Sequence, residues 1–197
     1  MTIPSEPIVK SIIGDFELRL REVLEGAWDD WLEEPNKARK SARTRASTVF
    51  DFIKHRAIAE FDGDPNIKAL PRGQTIKFLF KDQLLVRFKK ANSAGVGSNI
   101  ETQAVLRFID PQMSIPDLLP EILHAEICYH LDALATKMES LEVTARDRKR
   151  RIWSYQLARP EAAAVLPFVT NPTIPPATGT EVRPRVQPVD SESNTEE

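Results

Sequence analysis

The spacing of apolar residues switches from a helical to a strand period along the chain, and the switches outline the architecture. Between Glu6 and Glu34, Val9, Ile13, Phe16, Leu20, Val23, Leu24, Ala27 and Trp31 recur at helical steps. They predict one long amphipathic helix that Pro35 stops. Gly14 and Gly26 lower its propensity locally. From about Asn36 to Phe61, Ala42, Ala46, Val49, Phe50, Ile53, Ala57 and Phe61 form the stripe of a second helix.

Beyond a turn-rich loop the period falls to two. Ile76, Phe78 and Phe80 alternate with Lys77, Leu79 and Lys81; Leu84, Val86 and Phe88 alternate with Leu85, Arg87 and Lys89. With Lys81-Asp82-Gln83 between them, these runs predict a β-hairpin. Leu141, Val143 and Ala145, then Trp153, Tyr155 and Leu157, predict a second hairpin around Asp147-Arg148-Lys149-Arg150. Residues 125–132 satisfy both periods. A strand there extends the same sheet through a short connection, so strand is the reading adopted.

The expected fold is α+β: an N-terminal antiparallel helix pair packed on a mostly antiparallel sheet of about five strands, with one helix inserted after the second strand. Residues 1–61 form the helical hairpin and 62–160 the sheet region of the same domain. Residues 161–197, rich in proline and ending in SESNTEE, are expected to be a disordered tail. Within it, Ala162 to Val169 is apolar enough to dock on the domain or on a partner.

Charge changes this picture only locally. The net charge of −2 gives no global signal for nucleic acid. The first helix is mainly acidic and the second mainly basic, so the two can neutralise one another. A single cysteine excludes an internal disulfide framework and fits a reducing compartment. No apolar run approaches the length of a membrane span, and MTIPSEPIVK lacks the form of a secretory leader. A cytoplasmic protein with no membrane contact is the expectation.

Candidate chemistry gathers first after the second strand. Lys89 and Lys90 precede Asn92-Ser93-Ala94-Gly95-Val96-Gly97-Ser98-Asn99. Ser98 and Glu101 have capping-box spacing ahead of Ala104, Val105 and Phe108. Free amides at a helix start favour anions, so Lys89, Lys90, Gly95, Gly97, Ser98 and Asn99 are candidate phosphate ligands. The competing reading is a plain strand-to-helix connection capped by Ser98. Neither a Walker loop nor a dinucleotide fingerprint is present. Two further basic windows, one with Arg39, Lys40, Arg43 and Arg45 and one with Arg148, Lys149 and Arg150, are candidate contacts for a phosphate backbone.

Metal and catalytic signals are sparse. Glu60, Asp62 and Asp64 lack the remaining ligands of a calcium loop, and turn chemistry accounts for them. His124, Cys128 and His130 resemble zinc ligands in type, but a closed site needs a fourth. Cys128 beside two histidines lacks a third group to activate it. No metal and no cofactor is assigned.

Three functions remain open. One is a small accessory protein that binds nucleic acid or a protein partner; by analogy, a two-gene regulatory or defence module of the toxin–antitoxin kind would suit it. Another is a metal-dependent nuclease or nucleotide-modifying enzyme. Asp82, followed by Arg87-Phe88-Lys89, supplies only part of that pattern. The last is a structural or homo-oligomeric protein that uses Trp28 and Trp31 as an interface.

Overall fold

A computed structural model describes residues 3–98, 106, 108, 109 and 122–160. Backbone contacts divide the chain into Met1–Glu161 and Ala162–Glu197, and every described residue falls in the first of these units.

The architecture is α+β, with three α-helices and six strands among the described residues: α1 (Glu6–Ile13), α2 (Glu17–Glu33), α3 (Ala42–Phe61), β1 (Ile67–Arg72), β2 (Thr75–Phe80), β3 (Leu84–Lys90), β4 (Leu123–Leu131), β5 (Met138–Asp147) and β6 (Arg150–Gln156). The strands lie side by side in chain order. Every neighbouring pair is antiparallel except β3 and β4, which run parallel.

Three expectations need correction. The sheet has six strands rather than about five, because Ile67–Arg72 pairs with β2 as an edge strand. Only Ile67 is buried there, so no alternation shows, and Pro71 is tolerated because one side of an edge strand carries no ladder. The single first helix is two, divided by a 3-10 turn over Gly14–Phe16. The second begins at Ala42 rather than Asn36. Ser41 caps it by accepting the Thr44 amide at 3.2 Å, which leaves Arg39 and Lys40 in the connection before it.

One sheet face carries the main core. Phe78, Phe80, Leu84, Val86, Phe88, Ile127 and Val143 are fully buried with Ile13, Leu20 and Leu24 of α1 and α2 and with Val49 and Ile53 of α3. Phe61 meets Phe78 and Phe80 edge-on, with ring centroids 5.7 and 5.9 Å apart. Trp28 and Trp31 belong to this core, so they offer no outer interface. The opposite face holds a smaller cluster of Leu85, Phe108, Ile109 and Ile122, in which Phe108 and Ile109 are helical. Between β3 and β4, residues 99–105, 107 and 110–121 lie outside the described residues, and with them Asn99, the Glu101 end of the capping box and Pro111 to Pro120, as does the tail from 161.

Ion pairs tie α2 to α3. Arg56 grips Asp30 with two hydrogen bonds, at 2.6 and 2.7 Å. Arg19 donates to Glu60 at 2.6 Å and to Asp64 at 2.7 Å, so the acids of the turn-rich loop already have a cation. The Arg56 pair holds the Asp30 carboxyl below its ordinary range, and the Arg19 bond does the same for Asp64. No described helix is long and apolar enough to cross a membrane.

Candidate anion-binding cleft

Parallel pairing of β3 and β4 brings both C-terminal ends, Lys90 and Leu131, to one edge of the sheet. The two loops that leave there, 91–98 and 132–137, line an open cleft of about 800 Å³. Arg45 of α3, Lys90 of β3, His130 of β4 and Arg151 of β6 also reach it.

A buried ionic cluster fixes the first loop. Arg87 and Glu126 are register partners across the parallel seam, and both are buried. Arg87 donates to Glu126 through Nε at 2.9 Å and also through Nη2. The other carboxylate oxygen accepts the Gly97 amide at 2.9 Å and lies 3.4 Å from Nη1 of Arg146. Arg146 in turn donates to the Gly97 carbonyl at 3.1 Å. Burial alone would raise the Glu126 carboxyl, but the charges of Arg87 and Arg146 outweigh it and hold the group below its ordinary value. Arg87 itself is lowered by burial. Gly97 has no room for a side chain, since a Cβ would stand 2.7 Å from Glu126 Oε2 and 2.8 Å from the Lys89 Cβ.

The loop's amides are turned inward. Asn92 accepts the Ala94 and Val96 amides on its side-chain oxygen, at 2.9 and 3.2 Å, and the Gly95 amide on its carbonyl. The Ser98 amide bonds to the Lys90 carbonyl at 2.7 Å. Side chains, rather than free backbone amides, therefore supply the positive charge here. Arg45 and Lys90 are half-buried and have no ion-pair partner among the described residues. Arg151 leans against Gly95 and lies 3.6 Å from Glu142. The Asp132 carboxylate, also in the cleft, is engaged by the Thr136 and Lys137 amides at 2.6 and 2.8 Å. These bonds hold its carboxyl below the usual range.

The structure thus assembles only part of the expected set. Arg45, Lys90, Gly95 and Ser98 meet in the cleft. Lys89 lies beneath the loop on the Gly97 side, where burial lowers its ammonium. Arg39 and Arg43 are exposed, while Lys40 pairs with Glu34. Arg148, Lys149 and Arg150 sit at the β5–β6 turn, which the strand register places at the opposite end of the sheet from Lys90. Asn99 is outside the described residues. Arg151, which adjoins the basic window of Arg148 to Arg150, and His130, weighed above only for zinc, also line the cleft. Their contacts join distant stretches of chain, so no local spacing could have revealed them.

The residues weighed for metal and covalent chemistry have other partners. His124 stacks on Phe108, with centroids 4.7 Å apart, and its Nδ1 donates to the Phe108 carbonyl at 3.0 Å. Burial lowers its imidazole to about 4. Cys128 is buried, and burial, then the Glu126 charge, pushes its thiol up and keeps it protonated. Among the described residues, no group of three or more His, Cys, Asp or Glu side chains converges as a metal site would require. Asp82 lies in the β2–β3 turn, paired with Lys68 at 2.6 Å. It is at the far end of β3 from Lys89.

No protein-family model matches the chain, and neither does any curated protein or solved structure.

Proposed function

We propose that the chain is a binding protein that holds the phosphate backbone of a nucleic acid in the cleft at the ends of β3 and β4. The observation that carries this reading is the convergence of Arg45, Lys90 and Arg151 on one open cleft, where the first two lack ion-pair partners among the described residues. Cations held half-buried without counter-ions attract anions more strongly than the same groups in open water. The described lining contains no Phe, Tyr or Trp ring and a single imidazole, that of His130, so it offers phosphate contacts rather than a series of stacking platforms for bases. Binding is therefore expected to tolerate changes of base sequence. An accessory role in a two-gene regulatory or defence module belongs to this proposal by analogy alone.

The test is fluorescence anisotropy of a labelled single-stranded 12-mer titrated with protein across a range of salt concentrations. Three phosphate contacts predict a log–log salt slope of about −2. The paired substitution Arg45→Ala and Lys90→Ala should weaken binding and flatten the slope by about 1.4 units, to about −0.7. Absence of binding at low salt, or a slope unchanged in the double variant, would overturn the reading.

A further inference from the structure

His130 of β4 and Glu142 of β5 are diagonal neighbours on one face of the sheet, beside this cleft. His130 Nε2 lies 3.5 Å from Glu142 Oε2, and both atoms are buried without a hydrogen-bond partner among the described residues. Arg151 Nη1 lies 3.6 Å from the same carboxylate oxygen. One acid therefore stands between two cleft residues and is fully satisfied by neither.

The surrounding charges limit what can settle it. Arg45 comes from α3 and Lys90 from β3, and both are cationic. Asp132, two residues beyond His130, has its carboxylate held by the Thr136 and Lys137 amides. Cys128, the register partner of Glu142, is a neutral thiol. Glu142 is thus the acid left to draw Arg151 away from the cleft.

We propose that anion binding in the cleft takes up a proton on His130, and that this proton releases Arg151 from Glu142 to the ligand. With a neutral imidazole, the Glu142 charge holds Arg151 and partly cancels the field of the cleft. With an imidazolium, Glu142 has a cation of its own, Arg151 turns to the anion, and the cleft gains one positive charge. Linkage requires the reverse as well: a bound anion favours the protonated imidazole. The ligand is the phosphodiester of the proposed function, whose own charge is constant over the range in which an imidazole titrates.

This inference rests on the anion-cleft reading, and one experiment separates the two. The probe is a 5′-hydroxyl oligothymidylate, whose phosphodiesters keep their charge between pH 6 and pH 8. Its affinity is measured at both pH values at constant ionic strength, and proton uptake is counted by calorimetry in buffers of different ionisation heat. The expected result is binding about fivefold tighter or more at pH 6, with net proton uptake. His130→Gln should give one affinity at both pH values. Glu142→Gln should reduce the pH response and tighten binding at pH 8. Thermal melting of each variant confirms that it is folded. Wild-type binding that ignores pH, or a response that survives in His130→Gln, overturns the proton coupling and leaves the cleft reading standing. No binding of the probe at either pH overturns both.

Discussion

Arg56 and Arg45 sit on the same helix and meet opposite circumstances. Arg56 lies against α2, where Asp30 takes two of its donors, Nε and Nη2. Arg45 lies near the start of α3 and lines a cleft with Lys90, and neither has an ion-pair partner among the described residues. Basic residues counted along a sequence are equivalent; in the fold, some neutralise a neighbouring helix and others remain to meet a ligand. The same division separates Lys40, paired with Glu34, from Lys90. A basic window therefore says little about function until the acids across from it are placed.

The largest expected effect tests the support beneath the cleft rather than the cleft itself. Glu126→Ala leaves Arg87 and Arg146 buried without their shared carboxylate, and should cost about 3–5 kcal/mol in urea unfolding. Replacing Arg87 with Met in the same chain should recover part of that loss, because the charge left unpaired is the source of the cost. Equal instability with and without Arg87 would mean that the pair does not bear on folding.

The next effect is a stability response to acid. The folded His124 imidazole lies at about 4, below the 6.5 of an ordinary histidine, because burial disfavours its charged form. Above pH 6.5 neither folded nor unfolded chain carries this proton. As pH falls from 6.5 towards 4 the unfolded chain takes it up and the folded chain does not, so stability declines by about 3 kcal/mol. Urea midpoints across that window should fall more steeply for the wild type than for His124→Gln. Parallel curves would rule out His124 as the source.

The comparison of the two arginines is sharpened by a smaller pair of changes. Arg45→Ala should weaken oligonucleotide binding by about 1 kcal/mol or more and change stability by less than about 0.5 kcal/mol. Arg56→Ala should do the reverse: it loses an exposed ion pair, at most about 1 kcal/mol, and leaves binding unchanged. Binding and unfolding measured on both variants decide it. An equal loss of affinity in both would show that general charge, rather than the cleft, attracts the ligand.

Much of this fold was legible in the sequence. Both hairpins follow from apolar alternation that tertiary packing had no reason to override, whereas the strand around Glu126 satisfies both periods and was legible only through the hairpin that follows it. The edge strand β1 was not legible, because a strand buried at one residue carries no period. Nor was the break at Gly14–Phe16, since Phe16 keeps its place in the stripe while the backbone tightens to a 3-10 turn. For the cleft, sequence pointed to Lys90, Gly95 and Ser98 through their loop, and to Arg45 through a basic window. It offered free amides where the structure has amides bound to Asn92 and Glu126. The polarity of an asparagine does not reveal which way it folds a loop. The meeting of Arg151 with Gly95 depends on the order of strands in the sheet, which no local pattern encodes.

The parallel step in the sheet has one more consequence. β1 to β3 and β4 to β6 are each a run of adjacent antiparallel strands that can zip from its own turns, whereas the step from β3 to β4 must wait for a long stretch of chain to return. Lys90 belongs to the first run and Arg151 to the second. An anion gripped by both would act as a rivet across the slowest joint in the molecule, so occupancy should slow the parting of the two halves more than it alters either half alone.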